Sequence, residues 1–271
     1  MKRVTFCGFR AKLSVFFIGL IAVFTFNVSA QKPEAIEFYN LGCACAETDF
    51  DCRIAYFTKA VELAPDLTEA FNNRGLAFSG KGDLENALAD FSKAVELSPM
   101  FAKGFYNRAV VHARRRDLEK SVADFGKAIE LAPALTNAYI GRGNIHMKAK
   151  NFDAALKDFN AAIELEPLYA EIYYNRGLVY FHKNDFERAG VDFSNTVKLK
   201  PSFVSAYLNR GICFDRSGKT AEALADFTKF IELAPGDFRG YSNRAGVYTR
   251  LGETAKAEAD TRKVSELKRN G

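Results

Sequence analysis

The 271-residue chain is 48 % hydrophobic and 26 % charged, which excludes a disordered polyelectrolyte. Four of the positive charges behind its formal +5 fall in the first twelve residues, so the remainder stands near +1. A nearly neutral chain without a basic tract carries no charge signature of nucleic-acid binding.

The chain opens with Lys2, Arg3, Arg10 and Lys12, then Leu13–Phe26 without a charge, then Asn27-Val28-Ser29-Ala30. This order predicts a secretory signal peptide over residues 1–30, cut after Ala30. The apolar run is shorter than the ~20 residues of a spanning helix. A retained membrane anchor is the alternative, and only then would the chain contact a membrane. Cleavage would leave an exported protein, periplasmic or secreted.

From there the sequence repeats every 34 residues. Pro65, Pro99, Pro133, Pro167, Pro201 and Pro235 fall in register, and so do Arg74, Arg108, Arg142, Arg176, Arg210 and Arg244. The blocks are 31–67, 68–101, 102–135, 136–169, 170–203, 204–237 and 238–271. A period of this length marks repeats that bury their apolar faces on each other. In block two, Phe71, Gly75 and Phe78 predict a first helix over about 69–81. Ala87, Leu88, Phe91, Ala94 and Val95 predict a second over about 84–97. Gly82-Asp83 separates them, and Asp83 is placed to cap the second helix. Pro99 ends that helix.

Block one is irregular: it is one residue short at its turn, and Arg53 stands where the other blocks favour alanine. Block seven carries Glu258, Thr261 and Ser265 where block two carries Leu88, Phe91 and Val95. That polarity predicts a helix that caps its own stack.

With Thr68 as position 1, Phe71, Gly75, Phe78, Ala87, Phe91, Ala94 and Pro99 occupy positions 4, 8, 11, 20, 24, 27 and 32. In that arrangement the chain resembles the tetratricopeptide repeat family, in seven repeats that cover everything after the leader. The resemblance implies an all-α, right-handed superhelical solenoid of antiparallel helix pairs. It also implies a protein-binding scaffold rather than an enzyme.

Position 7 is Arg and position 23 is Asp in blocks two to seven: Arg74/Asp90, Arg108/Asp124, Arg142/Asp158, Arg176/Asp192, Arg210/Asp226 and Arg244/Asp260. Block one has Leu41 and Tyr56 instead, so pairing within a block leaves no charge over. In an antiparallel hairpin turning near position 15, the two positions lie at one level. These are expected as structural bridges between helices, not as catalytic groups.

The cysteines after the leader are Cys43, Cys45, Cys52 and Cys213. In an oxidising compartment the hairpin register favours a Cys45–Cys52 disulfide, with Cys43–Cys52 as the alternative. Cys213 is expected to be buried. His112 and His146 stand at position 11 as substitutes for aromatics. No metal-ligand spacing, phosphate loop or nucleophile–base motif appears, so neither a metal nor a cofactor is expected.

The resemblance places positions 2, 5, 9, 12 and 13 of each first helix on a concave, peptide-binding face. Here it implies a groove formed by Lys103, Tyr106, Val110, Arg114, Ile140, Asn144, Met147, Lys148, Tyr174, Leu178, Phe181, His182, Leu208, Ile212 and Arg216. Tyr174 and Phe181 are its expected anchors, outside the packing positions. The partner implied is a protein or peptide, with apolar anchors and some acidic residues. The family's clamp for a terminal carboxylate is not matched beyond Asn144. Two alternatives are a self-associating or membrane-anchored assembly factor, and an accessory subunit with a redox-active first block.

Overall fold

A computed structural model describes residues 33–270. The expected leader therefore lies outside the described residues. What is described is all-helical, with no strand, in helix pairs joined by short turns. No helix among these residues is long and apolar enough to cross a membrane.

The chain forms two compact units, meeting in sequence at Pro133 and Ala134. The first unit holds α1 (Pro33–Ala44), α2 (Phe50–Leu63), α3 (Thr68–Lys81), α4 (Leu84–Leu97), α5 (Ala102–Arg114) and α6 (Leu118–Leu131). The second holds α7 (Thr136–Lys148), α8 (Phe152–Leu165), α9 (Ala170–His182), α10 (Phe186–Leu199), α11 (Val204–Arg216), α12 (Thr220–Leu233), α13 (Phe238–Arg250) and α14 (Thr254–Asn270). Within each unit a helix packs on its hairpin partner and on the next block.

The core of each unit is built on equivalent rings, one in each of blocks one to six. Phe57, Phe91, Phe159, Phe193 and Phe227, all at position 24, are essentially without exposure. Each sits against the small residue at position 8 of its own first helix. At Gly177 the approach is so close that an added Cβ would stand 2.8 Å from the Phe193 ring. That contact fixes how near the two helices of a block can lie.

The turns repeat as well. The residue at position 15 is left-handed, as Gly82, Gly218 and Gly252 in three blocks, and as Arg116, Lys150 and Asn184 in three others. Asp83, Asp185 and Asp49 then accept a hydrogen bond from a backbone N–H of the following first turn, at 3.0–3.1 Å. A side chain with φ of 60° at Lys150 is strained. Lys150→Gly is expected to raise the stability of the second unit by about 1 kcal/mol in a urea titration. No change, or a loss, would mean that the Lys150 side chain offsets its own strain.

The first block closes differently. Cys45 and Cys52 are disulfide-bonded across its shortened turn, with Cα atoms 6.1 Å apart. Arg53 donates from Nη1 to the Glu47 carbonyl at 3.3 Å, so the residue that departs from the small-residue pattern ties down that turn.

Candidate functional site

The Arg–Asp pairs account for most of the buried charge. In all six blocks the guanidinium grips the aspartate of its own block: Arg74 holds Asp90, Arg108 holds Asp124, Arg142 holds Asp158, Arg176 holds Asp192, Arg210 holds Asp226 and Arg244 holds Asp260. Each does so with two parallel bonds, Nε to Oδ2 and Nη2 to Oδ1, at 2.7–2.9 Å. A bidentate fork of this kind is directional as well as strong. All six aspartates are buried, with Asp226 only 4 % and Asp260 only 6 % exposed. They lie inside the helix pairs and not on any surface a ligand could touch.

Five of the arginines also turn Nη1 to position 25 of the preceding block: Arg74 to Thr58, Arg108 to Ser92, Arg176 to Asn160, Arg210 to Ser194 and Arg244 to Thr228. One side chain thus closes its own hairpin and stitches it to its neighbour. Burial pushes the Asp90 and Asp192 carboxyls up, against the pull of Arg74 and Arg176. Nε and Nη2 of every fork are committed to the aspartate of the same block, which makes these pairs structural bridges between helices.

The groove residues of the first unit come from α5. Lys103 is exposed and Val110 partly buried. Arg114 is exposed and donates to the Ser79 carbonyl and hydroxyl, both at 2.8 Å. Tyr106 leans on Phe125, ring to ring at 5.8 Å.

That last contact recurs at position 5 and corrects the expectation that Tyr174 lies outside the packing positions, although Tyr106, Ile140 and Tyr174 all stay partly exposed. Tyr39 lies over Phe57 at 5.8 Å and Tyr174 over Phe193 at 5.6 Å. Tyr174 also stacks on Phe203 at 4.6 Å, and its hydroxyl accepts from Asn209 at 3.1 Å. It joins block five to block six and is not a free anchor. Leu208 is only 5 % exposed and belongs to the core around Phe227, so it supports the surface from beneath. Ile140 likewise packs against the Phe159 cluster. The physical reason is that position 5 sits one helical turn before position 8, directly beside the position-24 ring.

Positions 9, 12 and 13 of the second unit remain accessible in part. Leu178, Phe181, Met147 and Ile212 are partly buried; Asn144 stands beside them. Phe181 meets Phe186 edge-on at 5.5 Å. Lys148, His182 and Arg216 are exposed at the helix ends, with His182 stacked over Phe152 at 6.1 Å.

An open depression of about 510 Å³ lies between α11 and α13, lined by Ile212, Asp215, Arg216, Ser242, Asn243, Gly246 and Arg250. Asp215 and Arg250 form an ion pair across it. Asn243 donates to the Arg239 carbonyl at 2.8 Å. The groove expected from the sequence stopped at block six and missed the block-seven half of this site. The signal was available, since position 9 changes there from a large side chain to glycine.

Among the described residues, no group of thiols, histidines and carboxylates could hold a metal ion. Cys213 is fully buried, and burial pushes its thiol up to about 12. His112 is buried beside the Arg108–Asp124 pair, and burial pulls its imidazole below the usual range despite nearby Asp124 and Asp117. Cys43 is partly buried and takes a weak contact from Asn73.

Comparison with known proteins follows the same periodicity. Models described as tetratricopeptide repeat match residues 68–101, 102–135, 170–203 and 205–237, and one described as TPR repeat matches 143–184. No curated protein matches the chain. Among solved structures, YrrB, described as a TPR protein with an unusual peptide-binding site, is 23 % identical with a TM-score of 0.60, covering 68 % of this chain and 95 % of its own. A tetratricopeptide repeat protein from Parabacteroides merdae is 18 % identical with a TM-score of 0.64, covering 86 % and 93 %. PilF of Pseudomonas aeruginosa is 18 % identical with a TM-score of 0.63, covering 74 % and 91 %. At these identities the likeness is one of fold.

Proposed function

The chain is a member of the tetratricopeptide repeat family, and from that membership we propose that it is a non-enzymatic scaffold that holds a segment of a partner protein. The segment lies along the first helices of the second unit. One observation carries this reading. Leu178, Phe181, Met147 and Ile212 at positions 9 and 12 stay partly accessible, as do Tyr106, Ile140 and Tyr174 at position 5, and of these groove residues only Leu208 is buried. Apolar side chains left at the surface beside exposed Lys148 and Arg216 suit an extended segment with apolar anchors. YrrB supports it by analogy, as a peptide-binding protein of similar fold.

The test is site-specific photo-crosslinking in the whole chain. A benzophenone residue at Leu178 is expected to capture a defined peptide of a partner. The same residue at Val191, which is 58 % exposed on α10, is expected to capture none. Equal capture at both sites, or capture at Val191 alone, would overturn the groove.

We further propose that the protein works outside the cytoplasm. The leader over residues 1–30 and the Cys45–Cys52 disulfide support this reading. Amino-terminal sequencing of protein from the exported fraction should begin at Gln31. An intact leader on protein confined to the cytosol would defeat it.

A further inference from the structure

Position 9 holds Leu76, Val110, Asn144, Leu178 and Ile212 in blocks two to six, and Gly246 in block seven. Gly246 lies mid-way along α13 in ordinary helical backbone, so no turn demands it. Packing does not demand it either. A Cβ there would meet only Arg250 Nη1, at 3.8 Å, whereas a Cβ at Gly240 of the same helix would stand 2.5 Å from the Phe230 ring. A glycine inside a helix weakens it, and here no internal contact explains the loss. What the missing side chain does provide is room, since Gly246 borders the 510 Å³ depression between α11 and α13.

The chemistry of the walls says what that room suits. Arg216 is exposed and forms no ion pair among the described residues. Arg250 is already held by Asp215. Two guanidinium groups against one carboxylate leave one positive charge uncompensated. Ser242 adds a hydroxyl and Ile212 an apolar side wall. A planar, singly charged acceptor matches a guanidinium fork better than a bulky or neutral group does.

We propose that this depression seats one carboxylate side chain, Asp or Glu, of the bound segment. Arg216 is its ion-pair partner, and Gly246 is the opening that admits it. The proposal rests on the groove reading above and adds the acidic specificity of that groove.

The probes are two capped tripeptides, acetyl-Leu-Glu-Leu-amide and acetyl-Leu-Gln-Leu-amide, titrated into the 15N-labelled whole chain. The Glu peptide is expected to shift the Ser242 and Gly246 amides, and to bind about tenfold more tightly than the Gln peptide. Arg216→Gln should remove that difference. Gly246→Leu should raise the melting temperature, because leucine favours the helix, and should abolish the shifts. Equal binding of the two peptides, no binding of either, or full binding to Gly246→Leu would overturn the proposal. If Leu178 still captures a partner by photo-crosslinking in such a case, the groove stands and only its acidic specificity falls.

Discussion

Replacing Arg142 with leucine is expected to destabilise the second unit by about 3–5 kcal/mol. Asp158 is 3 % exposed, and its carboxylate oxygens take two bonds from Arg142 at 2.7 and 2.9 Å. Without the guanidinium, a charge stays buried among apolar side chains with nothing to balance it. The loss exceeds the value of the pair itself, because desolvation offsets much of the attraction while both partners are present. Adding Asp158→Tyr should therefore recover much of the damage. Block one already carries Leu41 and Tyr56 at these two positions. A double-mutant cycle in urea, with amide exchange in α8 as the local readout, should give a coupling of about 2 kcal/mol. Additive effects within error would mean that the charges are independently solvated.

Phe193→Ala is the second large expectation, at about 3–5 kcal/mol. The ring is 0 % exposed, carries Tyr174 on one side and Gly177 on the other, and has no open space to collapse into. Gly177→Ala alone should cost about 1–3 kcal/mol by overpacking, since its Cβ would stand 2.8 Å from that ring. Combined, the two changes should cost less than their sum, because the new methyl enters the space the ring vacates. Block seven pairs Ala245 at position 8 with Thr261 at position 24, whereas block three accommodates Ala109 beside a buried Phe125, which places the cost of Gly177→Ala at the lower end of that range. If the combined loss equals or exceeds the sum, the ring is held by Tyr174 rather than by the helix contact.

The fold was legible because its determinants are periodic. Six prolines in register set the block length, and spacings of three and four set the two helices. Block one, lacking both Arg and Asp, distinguished pairing within a block from pairing between blocks. The groove was less legible, and for a local reason. How far a side chain at position 5 is covered depends on its neighbours: Leu208 is buried in the cluster around Phe227, whereas Tyr174 rests on Phe193 and stays partly exposed. The left-handed turn residues Arg116, Lys150 and Asn184 were also hidden, because only glycine advertises that conformation. The glycine at position 9 of block seven was readable in the sequence, but that it borders a depression appears only once α11 stands beside α13.

The fork between positions 7 and 23 also bears on how such a chain can change length. Each of blocks two to seven contributes one Arg and one Asp, from Arg74 and Asp90 to Arg244 and Asp260, and both ends of the bond lie within the same 34 residues. A recombination event that copies or loses 34 residues inside this stretch therefore strands no charge in the interior. That holds wherever the breakpoint falls, since a hybrid of two such blocks still has one of each. The next arginine then meets Thr, Ser or Asn at position 25, which can accept its remaining N–H, except after block three, where Gly126 offers no side-chain acceptor. Copy number can drift at little energetic cost, and each step lengthens or shortens the stack by one whole helix pair.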